Sequence, residues 1–139
     1  MMDILIIAGV GAVPVALVLT MVFVRKRPRS LKTERFHNKW REMQKLLGDK
    51  TGWKQAIIDA DKLLDEALRR RRFGGKTMGE RLTKAQHVLS DNEAVWFGHK
   101  LRNKIEGDSS IKLKEAEVKQ ALIGIRQALK DLGALPDGK

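Results

Sequence analysis

The hydrophobic positions divide this chain into one continuous apolar stretch and a longer amphipathic part. Residues 4–24 carry no charged side chain, and a helix over them would cover roughly 30 Å, the thickness of a bilayer hydrocarbon core. The alternative is a cleaved secretory signal, which needs a shorter apolar core and a small-residue cleavage site. Basic residues follow the stretch instead. The pattern therefore predicts an uncleaved transmembrane anchor at residues 1–24.

The charges that flank the apolar stretch predict its orientation. Only Asp3 precedes the stretch, whereas a basic linker at residues 25–33 follows it. Positive flanks stay on the cytoplasmic side of a membrane. We therefore expect a single-pass protein of the cell (inner) membrane, with its N-terminus outside and the rest of the chain in the cytoplasm. The linker residues expected to contact lipid headgroups are Arg25, Lys26, Arg27 and Arg29.

After the linker, apolar residues recur at helical spacing in five segments. The strongest stripe lies in the second segment and includes Trp53, Ile57, Leu64 and Leu68. No segment alternates with period two, so no sheet is predicted. The predicted fold class is all-α, with the transmembrane helix followed by a small four- to five-helix cytoplasmic bundle at 34–133 and a flexible tail at 134–139. The helices are expected at about 33–47, 50–73, 77–89, 90–106 and 108–133.

Capping residues predict where three of these helices begin. Thr77–Glu80 and Ser90–Glu93 each place a hydroxyl side chain three residues before a glutamate, which is the pattern of a capping box. Asp108–Ser110 is expected to cap the last helix. Gly133 and Pro136 are expected to end that helix.

The composition excludes several classes of chemistry. The chain has no cysteine, so disulfides, thiol catalysis and cysteine-ligated metals are excluded. Its histidines, His37, His87 and His99, lie on three different predicted helices without metal-ligand spacing. There is no phosphate-binding glycine loop and no nucleophile elbow. We therefore expect neither a cofactor nor a metal.

Two charged features remain as candidates for binding or chemistry. Asp59, Asp61 and Asp65 are the one acidic cluster, which is interpreted either as paired carboxylates or as the solvated face of an amphipathic helix. The chain has a net charge of +11, and four of its arginines are consecutive. This run is expected to contact phosphates of lipid headgroups or of nucleic acid. That run is Arg69, Arg70, Arg71 and Arg72. The first two arginines are also spaced to pair with Asp65 and Glu66 at i, i+4.

An unusual polar constellation lies in the segment VWFGHKLRNKIEG at 95–107. His99, Arg102 and Asn103 fall on one helical face. With the runs at 56–68 and 75–82, this segment resembles uncharacterised single-pass proteins of small-genome bacteria. The predicted bundle also resembles the HEPN superfamily, many of whose members are ribonucleases or partners of nucleotidyltransferases.

The HEPN signature is Arg-Asn, three residues and then His. Arg102 and Asn103 match it, and Gly107 stands in the place of the histidine. The resemblance implies a dimer in which an arginine and a histidine from each subunit handle the scissile phosphate of RNA. Without the histidine, no obvious group is left for proton transfer. The alternative is that Arg102 and Asn103 fix the bundle by pairing with acids such as Asp61.

Three functions follow from these observations. The first is a membrane-anchored, non-catalytic interaction or scaffold module at the cytoplasmic face, and the second is a structural subunit of a membrane protein complex. The third is a HEPN-like RNA-binding protein or weak ribonuclease that uses His99, Arg102 and Asn103. The expected partners are the lipid bilayer with its anionic headgroups, a second copy of the chain or a membrane complex, with nucleic acid as the alternative. Site content favours the non-catalytic roles.

Overall fold

The computed structural model describes residues 31–136, which form five α-helices joined by short connections. No strand occurs within that range, so the predicted all-α bundle is confirmed. The helices are α1 (Thr33–Lys45), α2 (Trp53–Arg70), α3 (Met78–Ala85), α4 (Asn92–Gly107) and α5 (Glu115–Asp131).

The first two helices form an antiparallel hairpin whose connection is built from two 3₁₀ turns, Leu46–Gly48 and Lys50–Gly52. Asp49 lies between the turns, and its side chain accepts a hydrogen bond from the backbone N–H of Thr51 at 3.2 Å. The indole Nε1 of Trp53 donates to the carbonyl of Leu47 at 3.3 Å. This bond joins the two sides of the connection. Trp53 is partly buried against the core, whereas its place in the apolar stripe predicted a buried side chain.

Helix α2 is the centre of the bundle, because it packs against each of the other four α-helices. Its apolar stripe is buried as predicted, and it meets the buried stripe of α5. The side chains that are fully enclosed at this contact include Ile57, Leu64 and Leu68 of α2 and Ile125 and Leu129 of α5.

Helices α4 and α5 cross at very short distance, and two glycines make this possible. A Cβ atom on Gly98 would lie 2.9 Å from the backbone oxygen of Ala121, and a Cβ on Gly124 would collide with the backbone of Ala94. Each glycine therefore lies where the neighbouring helix leaves no room for a side chain. The crossing fixes α4, which carries the candidate site, against the core.

Two of the predicted helix caps are not formed. Asp91, not Ser90, caps α4 by accepting from the N–H of Ala94 at 3.0 Å. The backbone and hydroxyl of Ser90 instead donate to Asp131, each at 2.8 Å. Helix α5 begins at Glu115, because Asp108 uses its carboxylate in a local turn with Ser110. The cap at Thr77 is confirmed, since its hydroxyl oxygen accepts from the N–H of Glu80 at 3.2 Å.

The end of the bundle is tied to α2. Gly133 adopts a φ of 76°, which glycine tolerates, and ends α5 as predicted. The side chain of Arg71 donates to the carbonyl of Leu132 at 2.7 Å. Ala134 and Leu135, assigned by the sequence to a flexible tail, are buried against the core. The packed part of the chain thus extends beyond residue 133.

The prediction of a membrane-spanning protein requires correction. The apolar stretch at 4–24 lies outside the described residues, and so does most of the basic linker at 25–33. Among residues 31–136, no helix is both long and apolar enough to cross a bilayer. The structure therefore gives no support to a transmembrane helix, and the assignment of a single-pass protein of the inner membrane is withdrawn.

Candidate functional site

A buried acid–histidine pair joins the central helix to α4. Asp61 is 1% exposed and His99 is 5% exposed. The Nδ1 of His99 lies 3.1 Å from one carboxylate oxygen of Asp61 and 3.3 Å from the other. A carboxylate at this distance favours the tautomer in which Nδ1–H donates to Asp61 and Nε2 keeps its lone pair.

The remaining candidate side chains lie on the same side of α4, one turn further along. The amide nitrogen of Asn103 lies 3.5 Å from the Nε2 of His99. Arg102 donates to the amide oxygen of Asn103 at 3.0 Å. The guanidinium group also lies 3.5 Å from Asp61 and 3.1 Å from Glu106. The structure thus brings His99, Arg102 and Asn103 together beside Asp61, the geometry expected from their spacing.

Electrostatics shape this cluster through the burial of Asp61. Burial raises the pKa of Asp61 above its ordinary value, and the hydrogen bond from His99 and the positive charge of Arg102 offset only part of that effect. The ring of Trp96 meets the His99 ring edge-on, with centroids 5.8 Å apart. The indole therefore covers part of the imidazole, and the side chain of His99 is only 7% exposed.

A second buried carboxylate lies one helical turn from the first. Asp65 accepts from Arg69 of its own helix at 2.6 Å and from Arg81 of α3 at 2.7 Å. Burial raises the pKa of Asp65, but the hydrogen bonds and charges of Arg81 and Arg69 outweigh it, so that the pKa is lowered overall. The interpretation of Asp61 and Asp65 as a solvated acidic face is therefore wrong.

The four consecutive arginines do not present one basic surface. Arg69 and Arg70 bind Asp65 and Glu66, the pairs expected from their i, i+4 spacing. Arg71 turns towards α5, and Arg72 has a φ of 63° just beyond the end of α2. Their predicted contact with lipid or phosphate stays a prediction. The other residues assigned that role, Arg25, Lys26, Arg27 and Arg29, lie outside the described part of the chain.

Gly107, which stands where the HEPN motif has a histidine, has free space around it. Gly107 is the last residue of α4 and is exposed, and a Cβ atom there would meet nothing within 4 Å. A histidine would therefore fit at this position without displacing a neighbour. The departure from the motif therefore lies in the residue type at position 107, because the local backbone leaves room for a side chain.

A groove lies on a different face of the bundle, between α1 and α2. It has a volume of about 690 Å³ and an apolar floor, where Leu46 is partly exposed and Met43 and Leu63 are almost completely covered. We call it the α1–α2 groove. Its charged and polar walls are formed by Arg35, Lys39 and Glu42 of α1 and by Asp59, Lys62, Glu66, Arg69 and Arg70 of α2.

Sequence reasoning missed both this groove and the role of Arg81. Glu66 receives Arg35 from α1 at 2.9 Å as well as Arg70 of its own helix, and Arg81 reaches Asp65 across 16 residues. Partners on separate helices have no fixed spacing along the chain, so no periodic signal could have found them. Amphipathic spacing did predict the buried sides of α1 and α2, and hence which side chains remain for the groove walls.

Comparisons with known proteins found no relative of this chain. No family model, no curated protein and no solved structure matches it. Within residues 31–136, no group of three or more His, Asp or Glu side chains is arranged to hold a metal ion. The functional argument therefore depends on the contacts described above.

Proposed function

We propose that this protein is a non-catalytic helical interaction module that binds another protein in the α1–α2 groove. The observation that carries the proposal is the groove itself, which combines a 690 Å³ concavity and an apolar floor with cationic side chains at its walls. Apolar grooves between two helices are a common way to bind a third helix. The anchors of such a contact are apolar side chains, and the charged walls supply specificity.

The cluster around His99 supports this reading because Asp61 and both ring nitrogens of His99 already have partners inside the bundle. Asp61 binds His99 and Arg102, and the Nε2 of His99, the atom that a general base would need, lies against Asn103. The imidazole is almost completely covered. Such a network holds α4 against α2, and its removal would leave a buried carboxylate without its partners.

Arg102→Ala tests whether the cluster is structural. Thermal stability and RNA cleavage are measured on the same preparation of the full-length protein. Loss of the partner of a buried carboxylate should lower the free energy of unfolding by about 1–3 kcal/mol. We expect that loss, with no RNA cleavage by either protein. Robust wild-type cleavage that disappears in a still-stable variant would contradict the proposal.

One observation favours a second function, a HEPN-like protein that acts on RNA. The side chain of Arg102 is 31% exposed and lies beside the exposed Asn103 at the surface of α4. A partly exposed guanidinium can hold a phosphate in bidentate fashion. Gly107→His tests this alternative, because it completes the motif at an open position. Cleavage gained by that variant, and lost again with Arg102→Ala, would favour this second function.

A further inference from the structure

The α1–α2 groove has a definite order of charges along its length. Arg35 of α1 contacts Glu66 of α2 at 2.9 Å, so these two residues lie side by side in the antiparallel hairpin. In this register Lys39 lies level with Lys62, and Glu42 lies level with Asp59. The groove extends for about 17 Å from Arg35 to Leu46, at the helical rise of about 1.5 Å per residue.

One end of the groove is basic and the other is acidic. At the basic end, Arg35, Arg69 and Arg70 line the walls, and Glu66 is the acidic residue among them. Glu42 and Asp59 line the opposite end. The two lysines lie between these ends. The groove thus presents an excess of positive charge over most of its length.

The lysines at the centre are the cations that remain for a partner. Lys62 is exposed and has no ion pair with any residue in the described range. Lys39 is 50% exposed and meets Glu42 at a long 3.5 Å. An exposed ion pair of this kind contributes little to stability, so Lys39 can exchange Glu42 for another carboxylate.

We propose that the α1–α2 groove binds an acidic amphipathic helix of a partner protein. The inference rests on the proposed function and names its partner. Apolar side chains of the partner helix pack on Leu46 and on the aliphatic stems of Lys39 and Lys62. Its carboxylates face the ammonium groups of the same two lysines. Helical spacing at i, i+3, i+4 and i+7 provides both sets along one face.

The charge order also sets the direction of the partner helix. A helix carries partial positive charge at its N-terminus and partial negative charge at its C-terminus. Its C-terminal end therefore lies at Arg35, Arg69 and Arg70, and its N-terminal end lies at Glu42 and Asp59. The bound helix runs parallel to α2.

A second copy of this chain fits the groove less well. Two copies related by a twofold axis through the groove centre would place Lys39 and Lys62 against the same residues of the other copy. Like charges in contact at the centre oppose association, although the basic end of each copy would face the acidic end of the other. Two concave grooves placed face to face also leave both floors unfilled, so a convex helix fits the groove better than a second groove does.

The test uses a fluorescein-labelled peptide of roughly 18 residues, long enough to favour a helix, with a leucine stripe flanked by glutamates. A twin peptide carries lysine in place of every glutamate. Binding to the full-length protein is measured by fluorescence anisotropy at low and high salt. A single-stranded RNA oligonucleotide serves as the third probe.

The groove variant is Lys39→Glu with Lys62→Glu. The matched control is Lys100→Glu with Lys112→Glu, which makes the same charge change at exposed positions outside the groove.

The wild type should bind the acidic peptide and not its lysine twin. The groove variant should lose at least about tenfold in affinity, the control should change by less than about twofold, and salt should weaken binding. The groove variant should in turn gain affinity for the lysine twin. Circular dichroism melting of both variants excludes unfolding as the cause.

Two results would overturn the inference. The first is the absence of binding to the acidic peptide, or binding that the groove and control variants weaken equally. The second is binding of the RNA oligonucleotide that the groove variant abolishes, which would make the groove a nucleic-acid site. RNA cleavage is measured separately and bears on the proposed non-catalytic function, so the failure of one claim is distinguishable from the failure of the other.

Discussion

The Nδ1 of His99 lies 3.1 Å from the carboxylate of Asp61, and this contact joins α2 to α4 inside the bundle. Both side chains are almost completely shielded from bulk water. Removal of one partner lowers the free energy of unfolding, because the other partner stays buried without a hydrogen bond. The pair therefore stabilises the packing of α4 against α2.

His99→Ala should lower the free energy of unfolding by about 2–4 kcal/mol, since it leaves Asp61 with only the longer contact to Arg102. Combined with Asp61→Ala, it should show a coupling of about 0.5–3 kcal/mol in a double-mutant cycle. Urea denaturation at neutral pH provides the measurement, with Lys100→Ala at an exposed position of the same helix as control. If the effects of the two substitutions are additive, the stabilising interaction between His99 and Asp61 is contradicted.

Asp65 should contribute to stability in a pH-dependent way. Its pKa is lowered in the folded state by Arg81 and Arg69, so its contribution is present above the unfolded-state pKa of about 3.9 and is lost as the pH falls through the folded-state value. Asp65→Asn should therefore be less stable than the wild type at pH 7, and the difference should shrink below about pH 4. Urea denaturation from pH 7 to pH 3 measures it. A difference that stays constant over that range would refute the assignment.

Leu64 tests the core contact between α2 and α5. The side chain is fully buried, and Leu64→Ala should lower the free energy of unfolding by about 2–5 kcal/mol through lost burial and a residual cavity. Chemical denaturation measures the change. Substitution of the exposed Ile123 by alanine is the matched control and should cost far less. A loss below about 1 kcal/mol for Leu64→Ala would mean that the wrong face of α2 has been placed in the core.

Gly124 tests the close crossing of α4 and α5. Alanine favours a helix over glycine by up to about 1 kcal/mol, yet the added methyl group at this position would collide with the backbone of Ala94. Gly124→Ala should therefore destabilise the protein, by about 1–3 kcal/mol on the scale of an overpacked core. Gly107→Ala is the control, because its Cβ meets nothing within 4 Å. A melting temperature for Gly124→Ala equal to or above that of the wild type would refute the close crossing.

The sequence predicted the helices well because periodic burial is a local signal. The stripe through Ile57, Leu64 and Leu68 located α2, and the spacing of Asp65 and Glu66 from the arginines predicted their pairs. The start of α5 was misplaced because Asp108 forms a local turn as readily as a helix cap. Burial of Asp61 and Asp65 was missed, since it depends on partners supplied by α3 and α4.

The functional surface was also beyond sequence reasoning. The three residues singled out from the HEPN-like segment do lie together, but the imidazole of His99 is covered and paired with Asp61, whereas Arg102 and Asn103 keep part of their surface exposed. The α1–α2 groove arises only when two helices pack side by side, and its charge order follows from their antiparallel register, in which Arg35 meets Glu66. No single helix contains that information.

Binding in the α1–α2 groove is tested directly by a nuclear magnetic resonance titration of the ¹⁵N-labelled full-length protein with the acidic helical peptide. We expect the amide shifts to concentrate along α1 and α2 at the groove, around Lys39 and Lys62, while the amides of His99, Arg102 and Asn103 do not move. Shifts that concentrate at those three residues of α4, with the groove unchanged, would contradict binding in the groove.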